Sequence, residues 1–230
     1  LDCYVRSGLY KTLALPGIPG VEAAGEIEAV GPDVRGFSPG DQVGYVSEAY
    51  GAYAERRLIE AERLIHLPRA IEPATAAAVL VKGLTTLMLL TKLRAVGKGD
   101  VCLVHAAAGG VGQLLCQWAR HLGATVIGTA GSPEKAEIAR SCGAAHVILY
   151  KDQDFVASVK EITQGRGVDV AYDSVGADTF AGSMESLATR GVLVNFGQSS
   201  GAVAPFPPAK LAAKSNAVWR PILFHYISQP

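Results

Sequence analysis

The feature that most constrains the fold of this chain is a glycine-rich turn between a predicted strand and a predicted helix. The run VCLVH (101–105) is short, apolar and β-branched, which is typical of a buried strand. The turn AAAGGVG (106–112) follows it, and then an apolar helical periodicity carried by Leu114, Leu115, Trp118, Ala119 and Leu122. Strand, glycine turn and helix in this order are the context that a dinucleotide-binding fingerprint requires, although a packing turn in another α/β protein has the same order.

The glycines define the register of the fingerprint G-x-G-x-x-G. Gly109 and Gly112 match its second and third glycines, which places Ala107 at the first. The second glycine lets backbone N–H groups approach a pyrophosphate, and the third lets the helix pack closely on the strand. The helix N-terminus adds a partial positive charge that favours an anion. The motif therefore favours nucleotide binding over a packing turn.

From residue 73 onward, helical segments alternate with short apolar strands, which predicts an α/β fold with a doubly wound parallel sheet. The predicted strands are VCLVH (101–105), TVIGT (125–129), HVIL (146–149), VDVAY (168–172) and VLVNF (192–196). Ser132 and Pro133 predict the start of one helix, and Gly143 predicts its end. In such a sheet, ligands bind beyond the carboxyl ends of the strands. The predicted site is therefore 106–112, 130–132, Tyr150, 173–176 and 197–199.

Residues 1–72 have a different character, being rich in glycine, proline and short β-like runs. These runs are GEIEAVG, GDQVGYV and GAYAERRLI, and turn signals at Gly31-Pro32 and at 38–41 separate the first two. We expect a small, mostly β domain here.

The composition limits the partners and the cellular compartment that we expect for this protein. The chain has no net charge and no basic block, so it supports neither nucleic acid nor a membrane surface as a partner. Its four cysteines are scattered without metal-ligand spacing, which favours a reducing, intracellular compartment. The apolar run from Ala74 to Leu90 is interrupted by Lys82 and Gly83, and a buried helix explains it better than a membrane span.

The residues after the second predicted strand bear on the choice between NADH and NADPH. An NAD site usually has an acidic residue there, but this chain has Thr129-Ala130-Gly131-Ser132. Glu134 lies in the first turn of the next helix, where the helix dipole favours an acid regardless of ligand. Lys135 and Tyr150 offer a cation and a hydroxyl, which favours a 2′-phosphate and hence NADPH. The alternative is a solvated lysine and an ordinary strand-end tyrosine.

Longer stretches carry a family resemblance. They are LVHAAAGGVG, QWARHLGATVIGTAGSPEKAEIA, VAYDSVGADTF, DCYVRSGLY, GVEAAGEIEAVG, SPGDQVGY, GAYAE, VKGLTT, FGQSSGAV and RPILFHY. Together they resemble the zinc-independent quinone oxidoreductase family, related to zeta-crystallin, within the medium-chain dehydrogenases/reductases. The resemblance implies a partial GroES-like catalytic domain (1–72) beside an NADPH-binding Rossmann domain (73–230). It also implies a cytoplasmic homodimer that reduces quinones or related enones.

The resemblance also assigns residues. It implies that Tyr4 and Thr85 contact the nicotinamide side of the cofactor, and Tyr4 is the candidate catalytic residue. The other implied cofactor-binding residues are Gly109, Gly110, Val111, Gly112, Gly131, Ser132, Lys135, Tyr150, Ser174, Gly176, Phe196, Gly197 and Ser199.

The sequence departs from the family pattern at the zinc-ligand positions of metal-dependent relatives and at the two ends of the chain. Zinc-dependent relatives use the histidine of a G-H-E motif and a later Cys or Asp; here Val21 and Lys82 stand at those positions, so no metal is expected. The sequence begins at Leu1, after the position of a family asparagine, and ends before a segment that returns to the catalytic domain, so we expect it to be incomplete at both ends. The alternative functions are an alkenal or enone reductase of the same family and a non-catalytic, NADPH-binding structural or RNA-associated protein.

Overall fold

The computed structural model describes residues 1–227, which divide into two compact units. The first comprises Leu1–Leu84 and the second begins at Thr85. Helix α2 (Pro73–Leu87) runs through this division, and a six-residue π-helical turn, Met88–Leu93, continues it. The domain boundary expected between residues 72 and 73 lies at the start of α2, whereas the two units divide after Leu84, within this helix.

The first unit contains a three-stranded antiparallel sheet in the order β1 (Glu22–Glu26), β2 (Gln42–Val46), β3 (Leu64–His66). A short helix α1 (Asp2–Arg6) precedes the sheet, and the 3-10 turn Ala61–Arg63 leads into β3. The turn expected at 38–41 is present, since the Ser38 N–H donates to the Asp41 carboxylate at 2.8 Å.

The expected β-run GAYAERRLI is wrong, because residues 51–59 form bends instead of a strand. The reason is visible at Arg57. Its guanidinium donates to the carbonyl oxygen of Ala49 at 2.7 Å and to the Tyr45 hydroxyl at 2.9 Å, and it stacks over the Tyr45 ring. These contacts fold the segment back toward β2, so it does not pair as a strand.

The second unit is built on a six-stranded parallel sheet, which confirms the predicted doubly wound fold. Its strands are β4 (Val101–Val104), β5 (Thr125–Ala130), β6 (His146–Leu149), β7 (Val168–Asp173), β8 (Leu187–Asn195) and β9 (Ala217–Trp219). Their order, β6-β5-β4-β7-β8-β9, is that of a dinucleotide-binding sheet, with the strand order reversing beside β4. The sequence did not indicate β9, which is only three residues long.

Helices cover both faces of this sheet, so its strands are apolar on both sides. They are α3 (Gly110–His121), α4 (Pro133–Ser141), α5 (Phe155–Ile162) and α6 (Phe180–Ser186). The unit also contains a 3-10 helix at Pro208–Ala213 and the short helix α7 (Phe224–Ile227). Along β4, Cys102 and Val104 are buried in one core cluster and Leu103 in the other, as the period of two requires. The predicted start of α4 is confirmed, because Ser132 caps it and Pro133 is its first residue.

The segment Pro73–Leu93 is long and apolar enough to cross a membrane by length and composition. Its C-terminal end, Met88–Leu90, is instead buried in the core of the second unit. Earlier residues are more exposed (40 % for Val79), and 28% of the most apolar window is buried. The expectation of a buried helix is therefore correct only for the C-terminal end of this segment, and a single helix of this kind is weak evidence for a membrane span.

Candidate active site

The glycine turn after β4 forms a cradle of backbone. Ala106 adopts a left-handed conformation (φ 50°), and its carbonyl oxygen accepts a hydrogen bond from the Gly109 N–H at 2.8 Å. Gly109 is the N-cap of α3, so the first N–H groups of that helix point out of the turn without intrahelical acceptors. A Cβ at Gly112 would lie 2.9 Å from the Cα of Ala107 and would collide with the Ala106 carbonyl oxygen. The turn closes this tightly only because residue 112 has no side chain.

Alanine is accommodated where the fingerprint has its first glycine. The Ala107 side chain is fully buried, and the left-handed residue of the turn is its neighbour Ala106. The space for the Ala107 methyl group comes from β5, because a Cβ on Gly128 would lie 2.8 Å from it. The glycine missing from the fingerprint is thus compensated by a glycine on the adjacent strand.

The end of β5 forms the second part of the site. The Ser132 hydroxyl accepts from the Lys135 N–H at 3.4 Å, which starts α4 and places Lys135, an exposed residue, in its first turn. The Tyr150 side chain reaches across from the end of β6 and is 51% exposed; a Cβ at Gly131 would lie 2.7 Å from its hydroxyl oxygen. A hydrogen bond with Ser132 lowers the pKa of the exposed Glu134 carboxyl. An exposed cation and a hydroxyl therefore lie here, with no acid at the end of β5 itself.

The ends of β7 and β8 make the third part. Gly176 is left-handed (φ 94°) and pairs with Gly201, and a Cβ at Gly176 would lie 2.7 Å from the Gly201 oxygen. A Cβ at Gly197 would lie 2.9 Å from the Cα of Ser174, whose carbonyl oxygen accepts from the Ser199 N–H at 3.3 Å. Phe196, half-buried, packs against the core. The predicted residues of β7 and β8 thus meet at one edge of the sheet.

A buried polar cluster lies beneath these strand ends, and of its four residues only Asp173 belonged to the site predicted from the sequence. It consists of His105, Thr129, Asp173 and Ser183, all almost fully buried. Burial lowers the pKa of His105 to about 4, partly opposed by the nearby Asp173 carboxylate. The only sequence signal is a polar residue at the end of each of three apolar strands. Ser183 lies on α6, far away in sequence, and carries no signal of its own.

Tyr4 and Thr85 belong to different units. Tyr4 lies on α1 and is half-buried, and its ring meets that of Tyr10 edge-on with centroids 5.2 Å apart. Thr85 is half-buried on α2 and is the first residue of the second unit.

The positions that hold zinc in metal-dependent relatives have other chemistry here. Val21 is buried, and the Lys82 ammonium donates to the Ala78 carbonyl oxygen at 2.6 Å. Burial raises the pKa of Glu22, and its carboxylate accepts from the Val81 N–H at 2.7 Å. Among residues 1–227, no group of three or more His, Cys, Asp and Glu side chains is arranged to hold a metal ion.

The second unit fits a dinucleotide in three respects. Glycines line the edge where side chains would collide, a helix N-terminus opens onto it, and a hydroxyl and a cation stand at the end of β5. The glycine turn at β4 would hold the pyrophosphate, and the residues after β5 and β6 would hold the adenosine end.

Comparison with known proteins agrees with this geometry. Residues 1–69 match the family model for the alcohol dehydrogenase GroES-like domain, and residues 110–227 match that for zinc-binding dehydrogenase. A quinone oxidoreductase of Pseudomonas aeruginosa is 46% identical over 231 residues, covering 100% of this chain and 71% of its own. A 2-haloacrylate reductase of Burkholderia sp. is 43% identical, covering 99% of this chain and 71% of its own. The crystal structure of Escherichia coli quinone oxidoreductase complexed with NADPH superposes with a TM-score of 0.94 at 46% identity, covering 99% of this chain and 70% of that one.

The fold and the glycine edge define a medium-chain dehydrogenase/reductase, with a GroES-like domain and a Rossmann domain. Within that superfamily, the chain belongs to the quinone oxidoreductase family.

Proposed function

We propose that this protein is an NADPH-dependent quinone oxidoreductase. The observation that carries the proposal is the edge of the parallel sheet, where a glycine cradle for a pyrophosphate is followed by Gly131, Lys135 and Tyr150 in place of an acid. Relatives named quinone oxidoreductase are 46% identical along the whole chain, and one was crystallised with NADPH. These relatives favour quinone reduction over the alkenal reductase and over a non-catalytic role.

The cofactor-binding residues are proposed as follows. Backbone N–H groups of Gly109, Gly110, Val111 and Gly112 bind the pyrophosphate, since the first turn of α3 presents them. Gly131, Ser132, Lys135 and Tyr150 bind the 2′-phosphate end, where an ammonium forms a charge-assisted hydrogen bond. Ser174, Gly176, Phe196, Gly197 and Ser199 line the path toward the nicotinamide, which Tyr4 and Thr85 contact.

The acceptor is a quinone, and no metal takes part. When bound, NADPH supplies the reducing equivalents, as a hydride or as two electrons in separate steps. The protein then has to bind and orient a flat acceptor that is already electrophilic. Tyr4 donates a hydrogen bond to an acceptor oxygen or to the nicotinamide amide. A valine and a lysine at the two ligand positions support the metal-free proposal, since neither holds Zn²⁺ at neutral pH.

We also propose that the protein is a cytoplasmic homodimer. All four cysteines are free thiols, which fits a reducing compartment. Strand β9 is an edge of the parallel sheet, and an edge strand is a natural place for two copies to pair.

An acceptor comparison tests the function. Chelator-treated protein is mixed with NADPH and either naphthoquinone, 2-chloroacrylate or cyclohexanone, and the loss of NADPH absorbance is followed. We expect the highest kcat/KM with the quinone and no turnover of the unactivated ketone. A higher kcat/KM for the haloacrylate would assign the protein to activated alkenes, and activity that requires added Zn²⁺ would overturn the metal-free proposal.

A further inference from the structure

A chain of hydrogen bonds runs beneath the glycine turn, from its first backbone N–H to a buried carboxylate. The Ala106 N–H donates to the Thr129 hydroxyl oxygen at 3.3 Å, and that oxygen lies 3.1 Å from Nδ1 of His105. On the other side of the ring, Nε2 lies 2.9 Å from the Ser183 hydroxyl oxygen. The Ser183 hydroxyl donates to Oδ2 of Asp173 at 3.4 Å.

The carboxylate fixes the direction of every bond in the chain. A carboxylate only accepts, so the single hydroxyl proton of Ser183 points at Asp173, and the Ser183 oxygen has to accept from His105. Nε2 therefore carries a proton. In a neutral ring Nδ1 is then an acceptor, and the Thr129 hydroxyl donates to it. This leaves the Thr129 oxygen as the acceptor for the Ala106 N–H, which is the role the geometry gives it.

The environment of the His105 ring disfavours the doubly protonated, charged form. His105 is almost fully buried, and its ring packs edge-on against Phe155 at 5.0 Å. Among residues 1–227, Asp173 is the charged group that acts on it. The other oxygen of that carboxylate already accepts three hydrogen bonds, from the N–H groups of Val175 and Gly176 and from the Thr179 hydroxyl. The Asp173 carboxylate thus already accepts four hydrogen bonds from uncharged donors and does not require a histidinium.

The chain of hydrogen bonds ends at Ala106, the residue that shapes the glycine turn. Ala106 is left-handed, a conformation that is uncommon for a residue with a side chain. Its N–H binds the Thr129 side chain, and the next N–H, of Ala107, binds the Thr129 carbonyl oxygen at 3.0 Å. The Ala106 carbonyl oxygen in turn accepts from the N-cap Gly109. A displacement of the Thr129 hydroxyl therefore moves the turn that faces the pyrophosphate.

We propose that His105 is a positioning residue, held as the neutral Nε2–H tautomer, which connects Asp173 through Ser183 and Thr129 to Ala106 and thereby holds the glycine turn in its cofactor-binding geometry. The effect on the cofactor rests on the proposed NADPH-dependent function. The assignment of the His105 tautomer does not depend on that function, and it can be tested without cofactor.

The first experiment is a long-range ¹H–¹⁵N correlation spectrum of the ligand-free protein at neutral pH, with His105 assigned by comparison with a His105→Gln variant. We expect a protonated Nε2 and an unprotonated Nδ1. An Nδ1–H tautomer, or a ring protonated on both nitrogens, would overturn the inference whether or not the protein binds NADPH.

The second experiment measures NADPH dissociation constants by titration, together with thermal stability. Thr129→Val removes the hydroxyl and should weaken NADPH binding about tenfold, the effect of one lost hydrogen bond of ordinary strength. Thr129→Ser restores the hydroxyl and should bind within about twofold of the wild type. The matched control is Thr163→Val. The Thr163 hydroxyl also donates one hydrogen bond (to the Val159 carbonyl oxygen, 2.7 Å) and accepts one from a backbone N–H (Gly167, 3.0 Å), but it lies after α5 and before β7.

The control separates positioning from stability. Thr163→Val should lower the melting temperature without changing the NADPH dissociation constant. Equal weakening of NADPH binding by Thr129→Val and Thr163→Val would reduce His105 to a structural role and contradict the inference. Failure of the wild type to bind NADPH would contradict the proposed function and the cofactor part of the inference, whereas the tautomer would still be decided by the spectrum.

Discussion

Gly112 faces the backbone of Ala107 so closely that a Cβ at residue 112 would lie 2.9 Å from both the Cα and the carbonyl carbon of Ala107. Backbone atoms cannot rotate away as the end of a side chain does. The approach of α3 to β4, and with it the shape of the glycine turn, therefore depends on the absence of a side chain at this position.

Gly112→Ala should destabilise the protein by about 2 kcal/mol or more, because overpacking against backbone forces the helix away from the strand. Urea unfolding measures this change. Gly109→Ala is the matched control, since its φ is −76° and the nearest atom to a Cβ there is the Ala106 carbonyl oxygen at 3.1 Å. Gly109→Ala should destabilise the protein clearly less than Gly112→Ala, because a Cβ there meets one backbone atom instead of three, and it should weaken NADPH binding. Equal stability of the two variants would contradict the close-packing account.

Lys135→Ala should distinguish the two nicotinamide cofactors. A charge-assisted hydrogen bond to a phosphate contributes about 1.5–3 kcal/mol, so loss of the ammonium should weaken NADPH binding roughly tenfold to a hundredfold. NADH binding should hardly change, since NADH lacks the 2′-phosphate. Lys98→Ala removes the same charge from an exposed residue before β4 and serves as the control. Equal losses for both cofactors would contradict a 2′-phosphate contact.

The free energy of unfolding should decrease as the pH is lowered, because His105 is buried in its neutral form. Its pKa is about 4 in the folded protein and about 6.5 when solvated, so the unfolded chain binds more protons between these values. The folded state keeps its full stability above pH 6.5 and loses part of it as the pH falls toward 4. At pH 5 the loss should be about 2 kcal/mol relative to pH 7.

Urea unfolding of the wild type and of His105→Gln at both pH values isolates this contribution. The wild type should lose about 2 kcal/mol more than His105→Gln on acidification. His121→Gln, at the end of α3, controls for the removal of a histidine elsewhere. An identical pH dependence of the wild type and His105→Gln would show that His105 is not held neutral.

Tyr4→Phe keeps the ring and removes the hydroxyl. If the hydroxyl donates to an acceptor oxygen or to the nicotinamide amide, kcat should fall roughly tenfold or more while NADPH affinity stays unchanged. Steady-state kinetics with a quinone and a direct NADPH titration separate the two quantities. Tyr10→Phe, on the ring that meets Tyr4 edge-on, is the control. An unchanged kcat would show that the Tyr4 ring only packs against the cofactor and that its hydroxyl takes no part in the reduction.

The sequence predicted the parts of this site that depend on periodicity and local chain chemistry. Apolar runs separated by helices implied a parallel sheet, and that alone brings Gly109, Gly131, Tyr150 and Ser174 to one edge. Capping chemistry located the start of α4 at Ser132.

Contacts between residues far apart in sequence could not be predicted. His105 and Ser183 are 78 residues apart and meet only because α6 packs against the sheet. Residues 51–59 form a short β-like run in the sequence, but the bonds that Arg57 makes to the chain around β2 prevent pairing. Tertiary contacts of this kind override local propensity.

The most direct test of the account is the stoichiometry of a single reaction. Chelator-treated protein is mixed with NADPH and excess naphthoquinone without oxygen, and NADPH loss and hydroquinone formation are recorded together, with NADH in a parallel sample. The account predicts one hydroquinone for each NADPH consumed, at a rate that NADH at the same concentration does not reach. NADPH that binds but is not consumed when quinone is added, or an equal rate with NADH, would contradict it.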